Sequence, residues 1–210
     1  LDFRIFKVYY ASIPYGNFVG NPSYFSPLTE FLEKEFQSRG VDQGRIVDSP
    51  FSKPYRPMNY RSLPSKCTLL GLGRFDKERI RENYRSEIRR AVQRAEKKGL
   101  SIQRATNKEK VDIFYKLYLS SMERNRAAAK YPLKWFYALF DEMVGRGKAD
   151  ILLAVKDNVD YAAGVFVVYS PKVNHYLHNG SVETHLESRP NDLIVDYMIR
   201  QGVTTGKTIL

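Results

Sequence analysis

The second half of the chain carries two helical patterns. Thr106 and Asn107 can each cap a helix, and the apolar residues that follow recur at helical spacing: Val111, Phe114, Tyr115, Tyr118 and Met122. Pro132 begins a second pattern of this kind, which Gly145 and Gly147 end. The spacing therefore predicts two consecutive helices.

From Asp150 onward the spacing becomes that of strands. Three segments rich in strand formers, 151–156, 161–169 and 173–178, are separated by the short turns 157–158 and 170–172. Since short turns join antiparallel neighbours, the pattern predicts an antiparallel meander. A helix from Pro190 or Asn191 and one more strand after Gly206 complete the series.

The first half of the chain has a less regular pattern of apolar residues. Residues 3–10 read as a strand that ends in a turn at 14–17, a helix is predicted from Ser26 or Pro27 to Gly40, and a strand from Arg45 to Phe51. Prolines between 50 and 64 predict an exposed loop in which cations alternate with aromatics, a pattern also typical of surfaces that stack single-stranded nucleic acid. A short strand, 67–72, follows.

A long arginine-rich helix is predicted from Asp76 to Gly99. Its apolar residues fall on one face: Ile80, Tyr84, Ile88, Ala91 and Ala95. Arg81, Arg85 and Arg89 form a row beside that face, each one turn from the next, where forked donors suit phosphate or carboxylate.

A solvated helix face explains the same residues without a ligand. Glu78 and Arg81, Glu82 and Arg85, and Glu87 and Arg90 are each three residues apart and can pair. Nine cations nevertheless oppose five acids in this segment, which leaves positive charge unpaired.

Composition narrows the classes of protein. A 210-residue chain that is 43% hydrophobic is a globular protein rather than a disordered one, and its charge of +11 favours anionic partners. No apolar run approaches the ~20 residues that span a bilayer, and the single cysteine, Cys67, fits a reducing compartment, so a cytoplasmic location is expected. Because the chain starts at Leu1 and ends in a strand-like segment, we expect residues to be missing at both ends.

The sequence does not match several familiar catalytic and metal-binding motifs. The stretch from Gly202 to Thr208 has three residues between its glycines instead of the four of a phosphate-binding loop. His175 and His178, three apart on a predicted strand, are expected to point to opposite faces, so with His185 they make a poor metal site. Glu183 and Glu187 offer a general base, although exposed loop carboxylates are usually only solvated.

The chain resembles the FemAB-like transferases. Segments 85–91 and 95–102, with the sequences RSEIRRA and AEKKGLSI, are similar to that family's signature. Further similarity lies in the loop 12–20, the helix 114–124, the strands 162–168 and 175–181, and the segments 190–200 and 206–208.

This resemblance implies an α+β fold of the GNAT (acyl-CoA N-acyltransferase) type, with a mixed, mostly antiparallel sheet flanked by helices. It also implies tandem domains with truncated ends. Residues 1–105 would be the later part of a first domain and residues 106–210 an incomplete second domain, which stops before the family's aromatic-Asp-Phe-Gly strand end.

The family transfers an acyl or aminoacyl group to an amine, with aminoacyl-tRNA or acyl-CoA as co-substrate and no bound cofactor. The resemblance implies that the acceptor is an anionic precursor, a nucleotide-sugar or lipid-linked diphosphate, and that the protein lies in the cytoplasm or at the inner face of the membrane. The resemblance assigns substrate binding to Arg81, Arg85, Arg89, Arg124, Tyr176, Asn179 and Ser181, and leaves the catalytic group unassigned. Two alternatives remain: a non-catalytic RNA-binding module that uses the arginine-rich helix and the loop 53–66, and a degenerate GNAT-like scaffold.

Overall fold

The chain forms two compact units, Leu1–Thr68 and Leu69–Leu210. The computed structural model describes residues 10–13, 21–47, 60–61, 63 and 66–210. The predicted turn at 14–17, the small-residue loop beyond Ile13 and most of the proline-rich loop lie outside these residues. The domain boundary predicted between residues 105 and 106 stays a prediction.

The first unit contains a small parallel pair of strands. β1 (Tyr10–Ile13) pairs with β2 (Gln43–Ile46), and α1 (Phe25–Ser38) connects them. Parallel neighbours need such a crossover because a tight turn cannot return the chain to the same end. The helix predicted to end at Gly40 is confirmed, and Gly40 has the positive φ, +63°, that commonly terminates a helix.

The second unit is built on a four-stranded antiparallel sheet. Its strands are β3 (Leu100–Arg104), β4 (Ala149–Lys156), β5 (Asp160–Tyr169) and β6 (Asn174–Ser181), and they pair in sequence order. The predicted meander is confirmed. Ile209 forms bridges to Val173 and Gly71, so the end of the chain continues the sheet beyond the beginning of β6.

Helices cover both faces of this sheet. α3 (Lys108–Arg124), capped by Asn107, and α4 (Leu133–Leu139), which continues into a π-helix at Phe140–Val144, pack on one face with Ile151 and Leu153. α5 (Pro190–Thr204) packs on the other with Leu152 and Ala154. Burial of alternate β4 residues on opposite faces explains its nearly continuous apolar sequence.

Gly180 sets the contact between α3 and β6. A Cβ atom at this position would lie 2.3 Å from the backbone carbon of Leu117 and 2.3 Å from the backbone nitrogen of Tyr118. Because backbone atoms of a packed helix cannot move aside as a side chain does, α3 rests directly on the glycine.

The long helix predicted from Asp76 to Gly99 is wrong in its first part. α2 comprises only Ser86–Lys97, after a 3₁₀ turn at Ile80–Asn83 and extended backbone at Tyr84 and Arg85. The side chain of Asp76 accepts from the backbone of Glu78, so it caps a local turn and not a helix. The predicted strand at 67–72 is also absent, and only Gly71 forms a strand-like bridge there.

Candidate functional site

A bulge in β6 determines which of its side chains share a face. Val167 of β5 pairs with Tyr176 and Phe166 with His178, so Leu177 is an extra residue. Tyr176 and Asn179, three positions apart, consequently both lie on the face that α5 covers in part. Without the bulge they would lie on opposite faces.

Tyr176 and Asn179 form a polar pair at the outer strand of the meander. Tyr176 is 40% exposed and Asn179 is exposed, and the Asn179 amide lies close enough to the Tyr176 hydroxyl to affect its pKa. Burial of the hydroxyl raises the pKa of Tyr176 to about 12, with Asn179 acting in the opposite direction. At neutral pH the hydroxyl is therefore protonated and serves as a hydrogen-bond donor rather than as a general base.

Ser181 and Arg124 lie together but are engaged with each other. The Arg124 guanidinium donates to the Ser181 carbonyl at 2.8 Å, to its hydroxyl at 3.1 Å and to the Ser121 hydroxyl at 3.1 Å. The Ser121 hydroxyl also accepts from the Ser181 backbone N–H at 2.9 Å. These bonds hold the end of β6 to α3, so both predicted substrate-binding residues have a structural role in this arrangement.

Arg81 belongs to an ion-pair network around the buried carboxylate of Asp196 instead of a helical row. Its guanidinium donates to Asp196 at 3.1 and 2.7 Å and to Glu96 at 3.2 and 2.7 Å. Asp196, which is 1% exposed, also accepts from Arg200 at 2.9 Å and from the Tyr84 hydroxyl at 3.1 Å. Burial, together with the neighbouring Asp196, raises the pKa of Tyr84. The network joins the segment before α2 to α5.

Arg85 and Arg89 are the members of the predicted row that face solvent. Arg85 immediately precedes α2, Arg89 lies within α2, and both residues are exposed. Neither forms an ion pair within the part of the chain that the structure describes, nor do Arg90, Arg94 and Lys97. The pairs predicted with Glu78, Glu82 and Glu87 are absent there too, so α2 presents a cationic surface.

The same bulge corrects the histidine prediction. His175 pairs with Val168 and His178 with Phe166, two β5 residues that point to the same face, so the two imidazoles share a face instead of pointing apart. Among residues 10–13, 21–47, 60–61, 63 and 66–210 there is no group of three His, Cys, Asp or Glu side chains that could hold a metal.

Two features escaped the sequence reasoning. His178 lies among the rings of Tyr118, Tyr131, Trp135 and Phe136, with centroid distances of 4.8–6.4 Å. Burial, followed by the charge of Lys130, lowers the pKa of His178 to about 4. The second feature is the buried Asp196. Its one trace in the sequence is that it is a single acid within the apolar run of α5.

The second unit is thus an α+β domain with an antiparallel sheet covered by helices on both faces. The chain belongs to the acetyltransferase (GNAT) domain family, whose model matches residues 82–209 of the 210 residues. This match, together with the fold of FemX described next, confirms the predicted fold class and the resemblance to FemAB-like transferases.

The crystal structure of FemX is similar to this chain with a TM-score of 0.59 and 13% sequence identity, over 67% of this chain and 50% of FemX. The chain thus spans about half the length of FemX. L-PGS from Bacillus licheniformis is similar at a TM-score of 0.48 and 16% identity, over 67% of this chain and 42% of L-PGS. No curated protein sequence matches the chain. In the described part of the chain, no helix has the length and apolar character needed to cross a membrane.

Proposed function

We propose that this protein is a FemAB-like transferase that moves an aminoacyl or acyl group to an amine of a phosphate-bearing cell-envelope or polysaccharide precursor. The observation that carries the proposal is the Tyr176–Asn179 pair on the outer strand of a GNAT-type sheet. Domains of this class use acyl-CoA as co-substrate, and aminoacyl-tRNA is the alternative donor.

The reaction forms a bond between the amine nitrogen and the carbonyl carbon of the donor. The bond from that carbon to the sulfur or oxygen of the donor breaks, and the amine proton passes to the leaving group. Because the Tyr176 hydroxyl is protonated at neutral pH, we assign it the donation of a hydrogen bond to the oxyanion or to the leaving group. Positioning of the amine against the carbonyl supplies much of the remaining acceleration.

The cationic surface of α2 supports an anionic substrate. Arg85 and Arg89 are exposed, and the forked donors of a guanidinium match a diphosphate. Arg81 is removed from this role because Asp196 and Glu96 already occupy its donors. The proposal therefore keeps two of the three arginines of the predicted row.

The test combines a donor screen with a charge-matched pair of variants. The purified chain is incubated with charged tRNA or acyl-CoA and with UDP-sugar acceptors, and the acylated amine is measured by mass spectrometry. Calorimetry then measures UDP-sugar binding to Arg85→Ala/Arg89→Ala, which we expect to be about tenfold weaker while the melting temperature stays unchanged.

Lys116→Ala/Lys134→Ala is the control. It removes the same charge from exposed positions of α3 and α4, on the opposite face of the sheet, and should bind as the wild type does. Equal affinities for all three proteins would contradict the role of α2. RNA binding that falls steeply with salt, without any transfer product, would favour the RNA-binding alternative.

A further inference from the structure

Leu177 and His178, the two residues at the bulge of β6, pack on the same face of the sheet. Leu177 packs against the apolar cluster under α3 and α4, and His178 pairs with Phe166, a fully buried member of that cluster. Two consecutive side chains on one face are typical of a β-bulge, whereas a regular strand alternates them. The bulge therefore turns both residues toward α3 and α4.

Aromatic rings hold His178 in this place. The centroid of its imidazole lies 4.8 Å from that of Tyr131, 5.1 Å from that of Trp135 and 5.7 Å from that of Phe136. Phe136 is fully buried, and the Tyr131 and Trp135 rings stack at a centroid distance of 4.3 Å. Because the rings are packed against each other, they offer the imidazole a fixed surface.

A regular strand would lose these contacts. Side chains would then alternate after Tyr176, which would turn His178 away from α3 and α4 and place Asn179 among the rings. The Asn179 amide would leave water for an apolar surface, which is unfavourable for a polar group without hydrogen bonds. The packing of Leu177 and His178 therefore favours the bulged register.

Gly180 fixes Asn179 from its other side. α3 rests on this glycine, whose Cβ would lie 2.3 Å from backbone atoms of Leu117 and Tyr118. The residues before and after Asn179 are thus both packed on the α3 face. Asn179 itself is left on the opposite face, where it lies close to the Tyr176 hydroxyl.

We propose that His178 is a positioning residue of the transfer site: packed with Leu177 against α3 and α4, it holds the bulge that keeps the Tyr176 hydroxyl beside the Asn179 amide. The inference rests on the proposed function, which assigns the Tyr176–Asn179 pair to the reaction. His178 lies on the other face of the sheet and acts on this pair through the backbone of β6.

NMR spectroscopy tests the positioning on the whole 210-residue chain without a substrate. A nuclear Overhauser effect between the Tyr176 ring and the Asn179 side-chain amide, assigned by its loss in Asn179→Asp, reports that the two groups are adjacent. We expect this signal in the wild type and in His178→Phe, whose ring retains the packing, and its loss in His178→Ala. Leu177→Ala removes the other packed side chain and should lose the signal as well, so the test does not depend on the folding of one variant.

Kinetics test the consequence for transfer. With the donor and acceptor that the screen identifies, kcat of His178→Ala should fall at least about tenfold at unchanged KM, because a displacement of about 1 Å in a reacting group can cost about 100-fold in rate. His178→Phe should keep kcat within about threefold of the wild-type value, since its ring restores the packing. A kcat of His178→Ala equal to that of the wild type would overturn the proposal.

Met143→Ala is the matched control. Met143 packs against the same apolar cluster from the π-helix, so this variant should lower the melting temperature as His178→Ala does but leave the NMR signal and kcat unchanged. A signal that is absent from the wild type, persists in both His178→Ala and Leu177→Ala, or is also lost in Met143→Ala would overturn the positioning role. A signal lost only in His178→Ala and Leu177→Ala, with no transfer product from the wild type, would contradict the proposed function and still support the role of His178 in holding the pair together.

Discussion

Asp196→Asn removes one charge from the centre of the network that joins α5 to the segment before α2. The carboxylate is 1% exposed and accepts four hydrogen bonds, two from Arg81 and one each from Tyr84 and Arg200. Asparagine has the same shape but retains only one acceptor oxygen. The other position becomes an NH₂ group that faces two guanidinium donors.

The expected loss of unfolding free energy follows from the two hydrogen bonds that Asp196→Asn removes. The Oδ2 atom accepts from Arg81 Nη2 at 2.7 Å and from Arg200 Nε at 2.9 Å, and hydrogen bonds to charged groups contribute about 1.5–3 kcal/mol each. The side chains of Arg81 and Arg200 are 36% and 43% exposed and stay hydrated in the variant, which favours the lower end of that range. We expect the free energy of unfolding to fall by about 3 kcal/mol, or the melting temperature by roughly 10 °C.

This loss of unfolding free energy is measured by thermal and urea unfolding, with circular dichroism as the signal. Glu142→Gln is the control, because the Glu142–Arg146 pair has side chains that are 68% and 71% exposed and should contribute less than about 0.5 kcal/mol. A loss below about 1 kcal/mol for Asp196→Asn, or equal losses for the two variants, would refute the reasoning about burial.

Two further predictions concern packing and pH. Gly180→Ala places a methyl group against the backbone of α3 and should lower the free energy of unfolding by at least about 3 kcal/mol. Gly73→Ala is the control, because no atom lies within 4 Å of its Cβ, and it should lower the free energy of unfolding by less than about 1 kcal/mol. Similar losses for the two variants would contradict the contact between Gly180 and α3. His178, with a folded pKa of about 4 against an ordinary 6.5, is neutral when folded and binds its proton on unfolding, so its contribution is fully present above pH 6.5 and is lost as the pH falls toward 4. Between about pH 8 and pH 5, the free energy of unfolding measured in urea should fall by about 1.5 kcal/mol more in the wild type than in His178→Phe. An identical fall in the two proteins would exclude a buried neutral imidazole at His178.

The regular elements of the second unit could be predicted from the sequence. α3, α5 and the three-stranded meander follow from apolar spacing alone, because each element has to bury one face or both, and Asn107 was identified as a candidate cap from its residue type. The FemAB-like resemblance rested chiefly on the segments 85–91 and 95–102, which lie in and around α2 and β3, and further on segments of α3, α5 and the meander.

The site depended on contacts between residues far apart in the sequence. Local spacing favoured one helix from Asp76 to Gly99, but Arg81 and Tyr84 bind Asp196 more than 100 residues later, and the chain becomes extended between them and α2. Tertiary contacts of this kind override helix propensity, which differs by only a few tenths of a kcal/mol per residue for most residue types.

The bulge in β6 was likewise decided by tertiary structure. Strand periodicity assigns side chains three residues apart to opposite faces, whereas one unpaired residue at Leu177 brings Tyr176 and Asn179 to the same face. The sequence by itself therefore determined α3, α5 and the meander, since these elements follow from local periodicity and the need to bury apolar surface, and the resemblance to FemAB-like transferases indicated the class of fold. Which arginines face solvent, and which β6 side chains meet, was decided by long-range pairing that leaves little trace in the local pattern.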